Sequence, residues 1–283
     1  STMAVKKIAV GFRIYPKWSI SVGFRPYSNV GYKLTTESPI EGSSSTYTTQ
    51  FEGSGGLNKL YLSNSYKLTK NLSVGVNASF LFGTVNQTEN QYEFLIERES
   101  YTRKITFDFG LQYSNKINST LSYTLGAVYG YKNNIKLYND LTITSNTTGI
   151  IHEESVKKSV KTSTPQFFGV GASATKFYGY RVFTFAADYM FENWDKVDRP
   201  SPTAKYANSH KVSVGAQYMP NIRLARNYWQ RMTYQIGASF NTSNIQIRGE
   251  QMKDYAVSIG VNFPVSRSYV HFSTDFGYQT GKG

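Results

Sequence analysis

Hydrophobic and polar residues alternate along most of the chain. In the segment NLSVGVNASFLFG (71–83), every second residue from Leu72 to Phe82 is apolar, and as far as Phe80 only Ser, Gly and Asn stand between them. A period of two predicts a β-strand with one apolar face and one small polar face. The same alternation recurs at 8–14, 18–24, 101–114, 119–132, 181–191, 212–218, 234–240, 255–263 and 270–278, and less cleanly at 57–68 and 166–177. The pattern predicts about twelve strands in a single all-β domain that spans residues 1–283.

The predicted strands are long, and their connections alternate in length. Most strands have about nine to fourteen residues, which exceeds the usual length in globular sheets and suits a tilted strand that crosses a bilayer. Short turns are predicted at 15–17, 68–71, 115–118, 177–179 and 264–268, and long polar connections at 35–55, 84–100, 133–165, 193–208 and 242–252. Short turns at one end and long loops at the other are typical of outer-membrane barrels. We therefore predict a transmembrane, antiparallel, up-and-down β-barrel in the outer membrane of a Gram-negative bacterium.

The polar faces of the predicted strands contain charged residues and glycines. The charged positions are Arg13, Arg25, Asp108, Asp188, Lys211, Asp254 and Asp275. In a dry core, unpaired charges would each cost several kcal/mol. A soluble sandwich with its polar faces in water is the alternative, but strand length and loop alternation favour apolar faces in lipid. We predict that the seven residues form a charge network in the lumen, and we consider a catalytic pair of carboxylates less well supported.

Composition narrows the class of protein. The chain has 283 residues, no cysteine, a net charge of +13 and 23 tyrosines. No apolar run is long enough for a membrane-spanning helix. The lysines and arginines are scattered rather than gathered in one stripe, which favours contact with outer-membrane lipid and lipopolysaccharide over nucleic acid. Aromatic residues near the predicted strand ends suit interfacial girdles.

No arrangement of residues supports catalysis or cofactor binding. His152, His210 and His271 lack metal-ligand spacing, and the GSGG segment at 53–56 lacks the Lys-Ser/Thr of a phosphate-binding loop. No serine stands in a strand-to-helix elbow of the kind that hydrolases use. We predict neither an enzyme nor a bound metal or cofactor.

One turn on the short side is unusually long, basic and aromatic. The segment PNIRLARNYWQRM (220–232) contains Arg223, Arg226, Tyr228 and Trp229. These residues are candidates for contact with a partner protein. Anchoring at the membrane interface is the alternative explanation.

Three stretches resemble outer-membrane proteins of Bacteroidota related to the FadL/TodX family of long-chain fatty-acid transporters. They are VGFRPYSNVGYKL (22–34), the segment 53–83, and the segment 234–283. The resemblance implies fourteen strands in the full-length protein, an amino-terminal hatch inside the barrel, and a kinked third strand through which hydrophobic substrates leave sideways. About twelve strands are present here, so we expect the hatch, one amino-terminal strand and the carboxy-terminal strand to lie outside this sequence.

The kink implied by the resemblance would fall at Pro26, Tyr27, Ser28 and Asn29. Proline inside a strand removes a ladder hydrogen bond and favours an edge, a bulge or a kink. We expect a passive transporter for small, fatty-acid-like hydrophobic molecules, with lateral exit at these four residues. Two alternatives stay open: a non-transporting barrel subunit of a secretion or outer-membrane assembly complex, with partner subunits in the membrane, and a general porin.

Overall fold

The computed structural model describes residues 7–39, 46–91, 94–145, 147–197, 205–220, 227–247, 250–265 and 268–280. Within these ranges, sixteen strands form one sheet, in which every pairing is antiparallel. The strands are β1 (Ile8–Tyr15), β2 (Trp18–Asn29), β3 (Tyr32–Pro39), β4 (Thr46–Lys67), β5 (Leu72–Gln91), β6 (Phe94–Asn118), β7 (Leu121–Gly130), β8 (Asn133–Ser145), β9 (Gly149–Thr164), β10 (Gln166–Tyr178), β11 (Arg181–Asn193), β12 (Lys205–Tyr206), β13 (Ser209–Met219), β14 (Thr233–Ile247), β15 (Glu250–Val265) and β16 (Ser268–Thr280). A 3₁₀ helix, Tyr228–Arg231, precedes β14. No helix in the described ranges is long and apolar enough to cross a membrane.

The main path of the sheet contains twelve strands, in the order β1-β2-β4-β5-β6-β7-β10-β11-β13-β14-β15-β16. This confirms the predicted all-β, up-and-down fold and its strand number. Of the other strands, β3, β8 and β9 extend β2, β7 and β10 beyond short breaks, and β12 pairs with β14. β1 and β16 are the two ends of the path and do not pair with each other in the residues described. The expectation of fourteen strands in the full-length protein stays a prediction.

The apolar faces point away from the interior. Phe107 and Val257 are 40% and 47% exposed. Asp108, the residue next to Phe107, has a side chain only 17% exposed, and it forms an ion pair. A two-layer sandwich would show the opposite arrangement, with the apolar residues sealed and Asp108 in solvent. The apolar outer surface is therefore the surface that a bilayer would cover.

Aromatic residues gather at both ends of the apolar outer surface. Near the short turns, Tyr15 stacks on Trp18 and Phe183 stacks on Tyr218, with ring centroids 6.1 and 4.7 Å apart. Near the opposite end, Phe80 stacks on Phe82 and Tyr101 on Tyr138, at 5.4 and 5.2 Å. Two such bands are the positions in which tyrosine and tryptophan meet the two interfaces of a membrane.

Four of the predicted long connections are largely strand. Much of 35–55, 84–100 and 133–165 extends the sheet as strand pairs, for example Phe51 with Glu89 and Leu95 with Thr144. Most of 242–252 belongs to the paired ends of β14 and β15, for example Thr242 with Lys253. The prediction of loops was wrong in these four segments, and β8 alternates apolar and polar residues much as the membrane strands do. We call the extension formed by the first three segments the upper sheet: β3, 46–56 of β4, 84–91 of β5, 94–103 of β6, β8 and β9.

The apolar side of the sheet changes from outside to inside between the barrel and the upper sheet. In β7 the odd-numbered residues point outward, as Leu125 does at 49% exposure. Tyr101 faces outward and pairs with Tyr138, so the even-numbered residues of β8 point outward instead. The apolar residues of β8 therefore point inward, and Ile135 is only 4% exposed. The break at 131–132 inserts an extra residue and produces this exchange of faces.

Candidate functional site

A β-bulge interrupts β2 at the predicted kink. Pro26 pairs with Asn58 and Ser28 pairs with Leu57, so Tyr27 has no partner residue on β4. Proline has no N–H to donate to the ladder, which makes a bulge at this position favourable. The Ser28 hydroxyl accepts a hydrogen bond from the backbone N–H of Leu57 at 3.3 Å. The predicted irregularity at Pro26–Asn29 is thus present as a local bulge, and the β2–β4 ladder continues on both sides of it.

Glycines continue the irregularity across the neighbouring strands. Gly56 pairs with Asn29, and Gly83 pairs with Leu57. Both have φ of +151°, and a Cβ at either position would lie 2.2–2.3 Å from a backbone carbonyl oxygen of the adjacent strand. Only glycine accommodates this close approach. The bulge therefore belongs to a line of altered backbone that crosses β2, β4 and β5.

On the β1 side of the bulge, 25–29 have no partner strand among the residues described. β1 pairs with β2 from the Tyr15–Trp18 pair to the Ile8–Phe24 pair, so 25–29 extend beyond it. In the described part of the chain no other strand pairs with that edge of β2. The Tyr27 side chain is 38% exposed. A lateral passage at these residues would run along this edge of β2, beyond the Ile8–Phe24 pair.

A buried polar network lies on the inner wall below the bulge. Lys59 Nζ lies 3.1 Å from Asp108 Oδ2, and the two side chains are 8% and 17% exposed. Asn77 donates to the same Asp108 oxygen at 3.2 Å and accepts from the Ser63 hydroxyl at 2.8 Å. The network joins β4, β5 and β6. The sequence analysis found Asp108 but missed Lys59, because Lys59 lies in the segment 57–68, where the alternation is weakest.

The other predicted lumen residues occupy inward positions on separate parts of the wall. Arg13 is on β1 opposite Ser19, and Arg25 is on β2 opposite Lys59. Lys211 and Asp254 both pair with Asn241, whose side-chain amide donates to Asp254 at 3.2 Å. Asp188 lies on β11 opposite Ser213, and Asp275 lies on β16 opposite Ser258. The structure therefore spreads these residues around the lumen, and Asp108 forms an ion pair with Lys59, which is not one of the seven predicted residues.

A recess of about 420 Å³ lies on the inner wall of β11 and β13–β16. Small and polar side chains line it, among them Gly215, Gly237, Ser258 and Asp275. A Cβ at Gly215 or Gly237 would approach no heavy atom closer than 3.4 Å. The packing of the barrel therefore does not require glycine at these two positions, and the recess has room for a further segment or ligand. In the described ranges no group of three or more His, Cys, Asp or Glu side chains could hold a metal ion.

Residues 221–226 of the basic turn, which include Arg223 and Arg226, lie outside the described residues. Its end is the 3₁₀ helix, in which Trp229 is 67% and Tyr228 48% exposed. The Tyr228 hydroxyl donates to the carbonyl of Pro264 at 3.3 Å. The hydroxyl of Tyr234, an outward residue of β14, donates to the carbonyl of Trp229 at 3.2 Å. The helix thus lies at the short-turn end of the barrel, on the outer side of the wall, where either lipid or a partner protein can contact Trp229.

Comparison with known proteins gives one family match and several structural neighbours. The model of a family described as BamG matches residues 1–282. No curated protein matches the sequence. The fold is similar to those of a hydrocarbon channel, a toluene transporter and a FadL homologue. The CymD monoaromatic hydrocarbon channel has a TM-score of 0.57 at 15% identity, over 97% of this chain and 77% of that one. The toluene transporter TbuX of Ralstonia pickettii has a TM-score of 0.51 at 14% identity, over 96% and 80%. A FadL homologue of Pseudomonas aeruginosa has a TM-score of 0.52 at 11% identity, over 96% and 68%.

Proposed function

The chain belongs to the BamG family, and from that membership we propose that it is a barrel subunit of an outer-membrane assembly complex. The observation that carries the proposal is the extent of the match, which covers residues 1–282. The likeness to hydrocarbon channels is one of fold, at 11–15% identity. A family named for the Bam machinery favours the assembly subunit among the functions considered for this barrel.

Two structural features favour a subunit over a transporter with lateral exit. The β2–β4 ladder continues on both sides of the bulge, and the Ser28 hydroxyl accepts a hydrogen bond from the Leu57 N–H, so β2 and β4 stay joined at the irregularity. The upper sheet extends the wall beyond the membrane on one side and offers a folded surface to a neighbouring protein. A transporter needs a passage, whereas a subunit needs surfaces of this kind.

Purification from native outer membranes tests the assembly role. The tagged protein, extracted in mild detergent after crosslinking in intact cells, is expected to co-purify with a barrel-assembly protein in fixed stoichiometry. An unrelated barrel of the same membrane, tagged and expressed at the same level, is the control and is expected to purify without that partner. Recovery of this chain without a reproducible partner, under conditions that preserve other membrane complexes, would contradict the proposal.

Within this proposal, the basic turn is the candidate contact on the short-turn side, through Arg223, Arg226, Tyr228 and Trp229. Replacement of Tyr228 and Trp229 by serine is then expected to lower the yield of the co-purified partner. Serine at Tyr180, an exposed aromatic residue of another short turn, is the matched control. An unchanged yield in the Tyr228/Trp229 variant would favour interfacial anchoring of the turn.

The second candidate function is passive passage of small hydrophobic molecules, and the bulge in β2 is the observation that favours it. Deletion of Tyr27 together with Pro26→Thr removes the extra residue and restores a regular ladder, because Ser28 already pairs with Leu57. If the barrel transports, this variant is expected to lower the uptake of toluene or oleate by cells that depend on it. Tyr27→Phe, which keeps the bulge, is the control. Unchanged uptake in the deletion variant would argue against lateral exit at this position.

A further inference from the structure

Three cations form one row on the outward side of the upper sheet. Arg103, Lys136 and Lys161 are all exposed. Lys136 pairs directly with Lys161. Two residues away, Tyr101 pairs with Tyr138, which places Lys136 beside Arg103, and the Thr102 hydroxyl donates to the carbonyl of Lys136 at 2.9 Å. Neighbouring strands lie about 5 Å apart, so the backbones of the three residues span roughly 10 Å. We call these residues the cation row.

The row lies at the edge of the apolar outer surface. Ile105, the next outward residue of β6 toward the short turns, is 57% exposed. Phe82 pairs with Arg103. The stacked rings of Tyr101 and Tyr138 stand immediately above the row. The aromatic residues locate the membrane interface, and the long-loop end of an outer-membrane barrel faces the cell exterior. The cation row is therefore level with the headgroups of the outer leaflet.

The charges of the row are not neutralised within the residues that the structure describes, because none of the three side chains takes part in a salt bridge there. Like charges placed directly opposite each other on paired strands are destabilising. The nearest described carboxylates on the same face of β6 and β8 are those of Glu99 and Asp140, four residues farther up, or about 13 Å along a strand. An anion that binds across the three strands would remove this repulsion.

We propose that the cation row is a binding site for the phosphate groups of lipopolysaccharide in the outer leaflet. Arginine and lysine are the side chains that bind phosphate, and three of them in a row suit a headgroup with more than one anionic group. Apolar residues such as Ile105 lie below the row, where the acyl chains would pack. The site holds the barrel at a fixed depth and ties the upper sheet to the lipid beside it. It does not depend on either candidate function.

The test measures lipopolysaccharide bound to the purified full-length barrel by native mass spectrometry. The ligand is lipopolysaccharide from the same membrane, used before and after enzymatic dephosphorylation, with phosphatidylglycerol as a second anionic lipid. The R103Q/K136Q/K161Q variant is expected to bind intact lipopolysaccharide at least about tenfold more weakly than the unsubstituted protein. Dephosphorylation is expected to weaken binding to the unsubstituted protein to a similar extent.

The matched control removes three exposed lysines at the other end of the barrel, in the K67Q/K70Q/K116Q variant. It is expected to bind intact lipopolysaccharide as the unsubstituted protein does. Both variants change only exposed side chains, and the heat-dependent shift of the folded barrel on a gel verifies their folding. Equal loss in both variants, undiminished binding in R103Q/K136Q/K161Q, or equal binding of the dephosphorylated lipid or of phosphatidylglycerol would each overturn the proposal.

Discussion

Alanine at Gly83 is expected to destabilise the barrel by about 2–4 kcal/mol. The added Cβ would lie 2.2 Å from the carbonyl oxygen of Gly56 and 2.9 Å from the Cα of Leu57. Both are backbone atoms of a paired strand, so relief of the clash requires the β4–β5 ladder to separate locally. The residue also has φ of +151°, a region that side chains rarely adopt. Urea unfolding of the barrel in detergent micelles measures the loss.

The control for this prediction is another glycine of the barrel wall. Gly110 on β6 has ordinary strand geometry, and a Cβ there would come no closer than 3.9 Å to the carbonyl oxygen of Ala127. Gly110→Ala is expected to leave the unfolding midpoint nearly unchanged or to raise it slightly, because alanine restricts the unfolded chain. Equal unfolding midpoints for the two variants would show that the backbone at Gly83 is not constrained as described.

Loss of Asp108 is expected to have the other large effect. Asp108→Asn leaves the Lys59 ammonium in the inner wall without its anion, at a cost of about 2–4 kcal/mol after allowance for some water in the lumen. Lys59→Met is expected to cost less, because Asn77 still donates to the remaining carboxylate. The double variant K59M/D108N is expected to be more stable than the sum of the two single losses indicates, because it leaves no charge unpaired.

An exposed ion pair in the same protein provides the comparison. Lys33 and Glu52 lie 3.7 Å apart with side chains 64% and 58% exposed. Neutralising either partner is expected to change the free energy of unfolding by less than about 1 kcal/mol. If the Lys59–Asp108 variants behaved like the Lys33–Glu52 variants, the lumen would be as well hydrated as the outer surface of the upper sheet.

The sequence was sufficient to predict the strands of the membrane part, because lipid on one side and the lumen on the other impose a period of two. Residues 71–80 carry that pattern without interruption, and β5 begins at Leu72. Pro26 also marked the bulge, because a residue without an N–H cannot complete a ladder. Both features depend on residues that are close to each other in the sequence of one strand, so they can be predicted from a single sequence.

The upper sheet and the buried ion pair could not be predicted in this way. The apolar residues of β7 and β8 continue on odd-numbered positions, so the pattern alone would place Leu125 and Ile135 on the same face. Only the extra residue in the break at 131–132 puts Ile135 inside. The partner of Asp108 depends on the register of β4 against β5 and β6, which places Lys59 within reach although it lies 49 residues away. Registers between strands are tertiary facts that alternation does not encode.

The upper sheet consists of six neighbouring strand segments, so one side of the barrel wall is taller than the rest. β11, which follows β10 in the path, ends at Asn193, and Asn193 pairs with Gln166 just below the upper sheet. The β6 portion of the upper sheet, 94–103, corresponds to roughly 30 Å of extended chain. A barrel with a level rim looks the same from every direction in the plane of the membrane, and its rotation about the membrane normal carries no information. This barrel differs from one side to the other. A protein that diffuses in the same bilayer therefore meets either the tall side or the low side, depending on the direction from which it approaches.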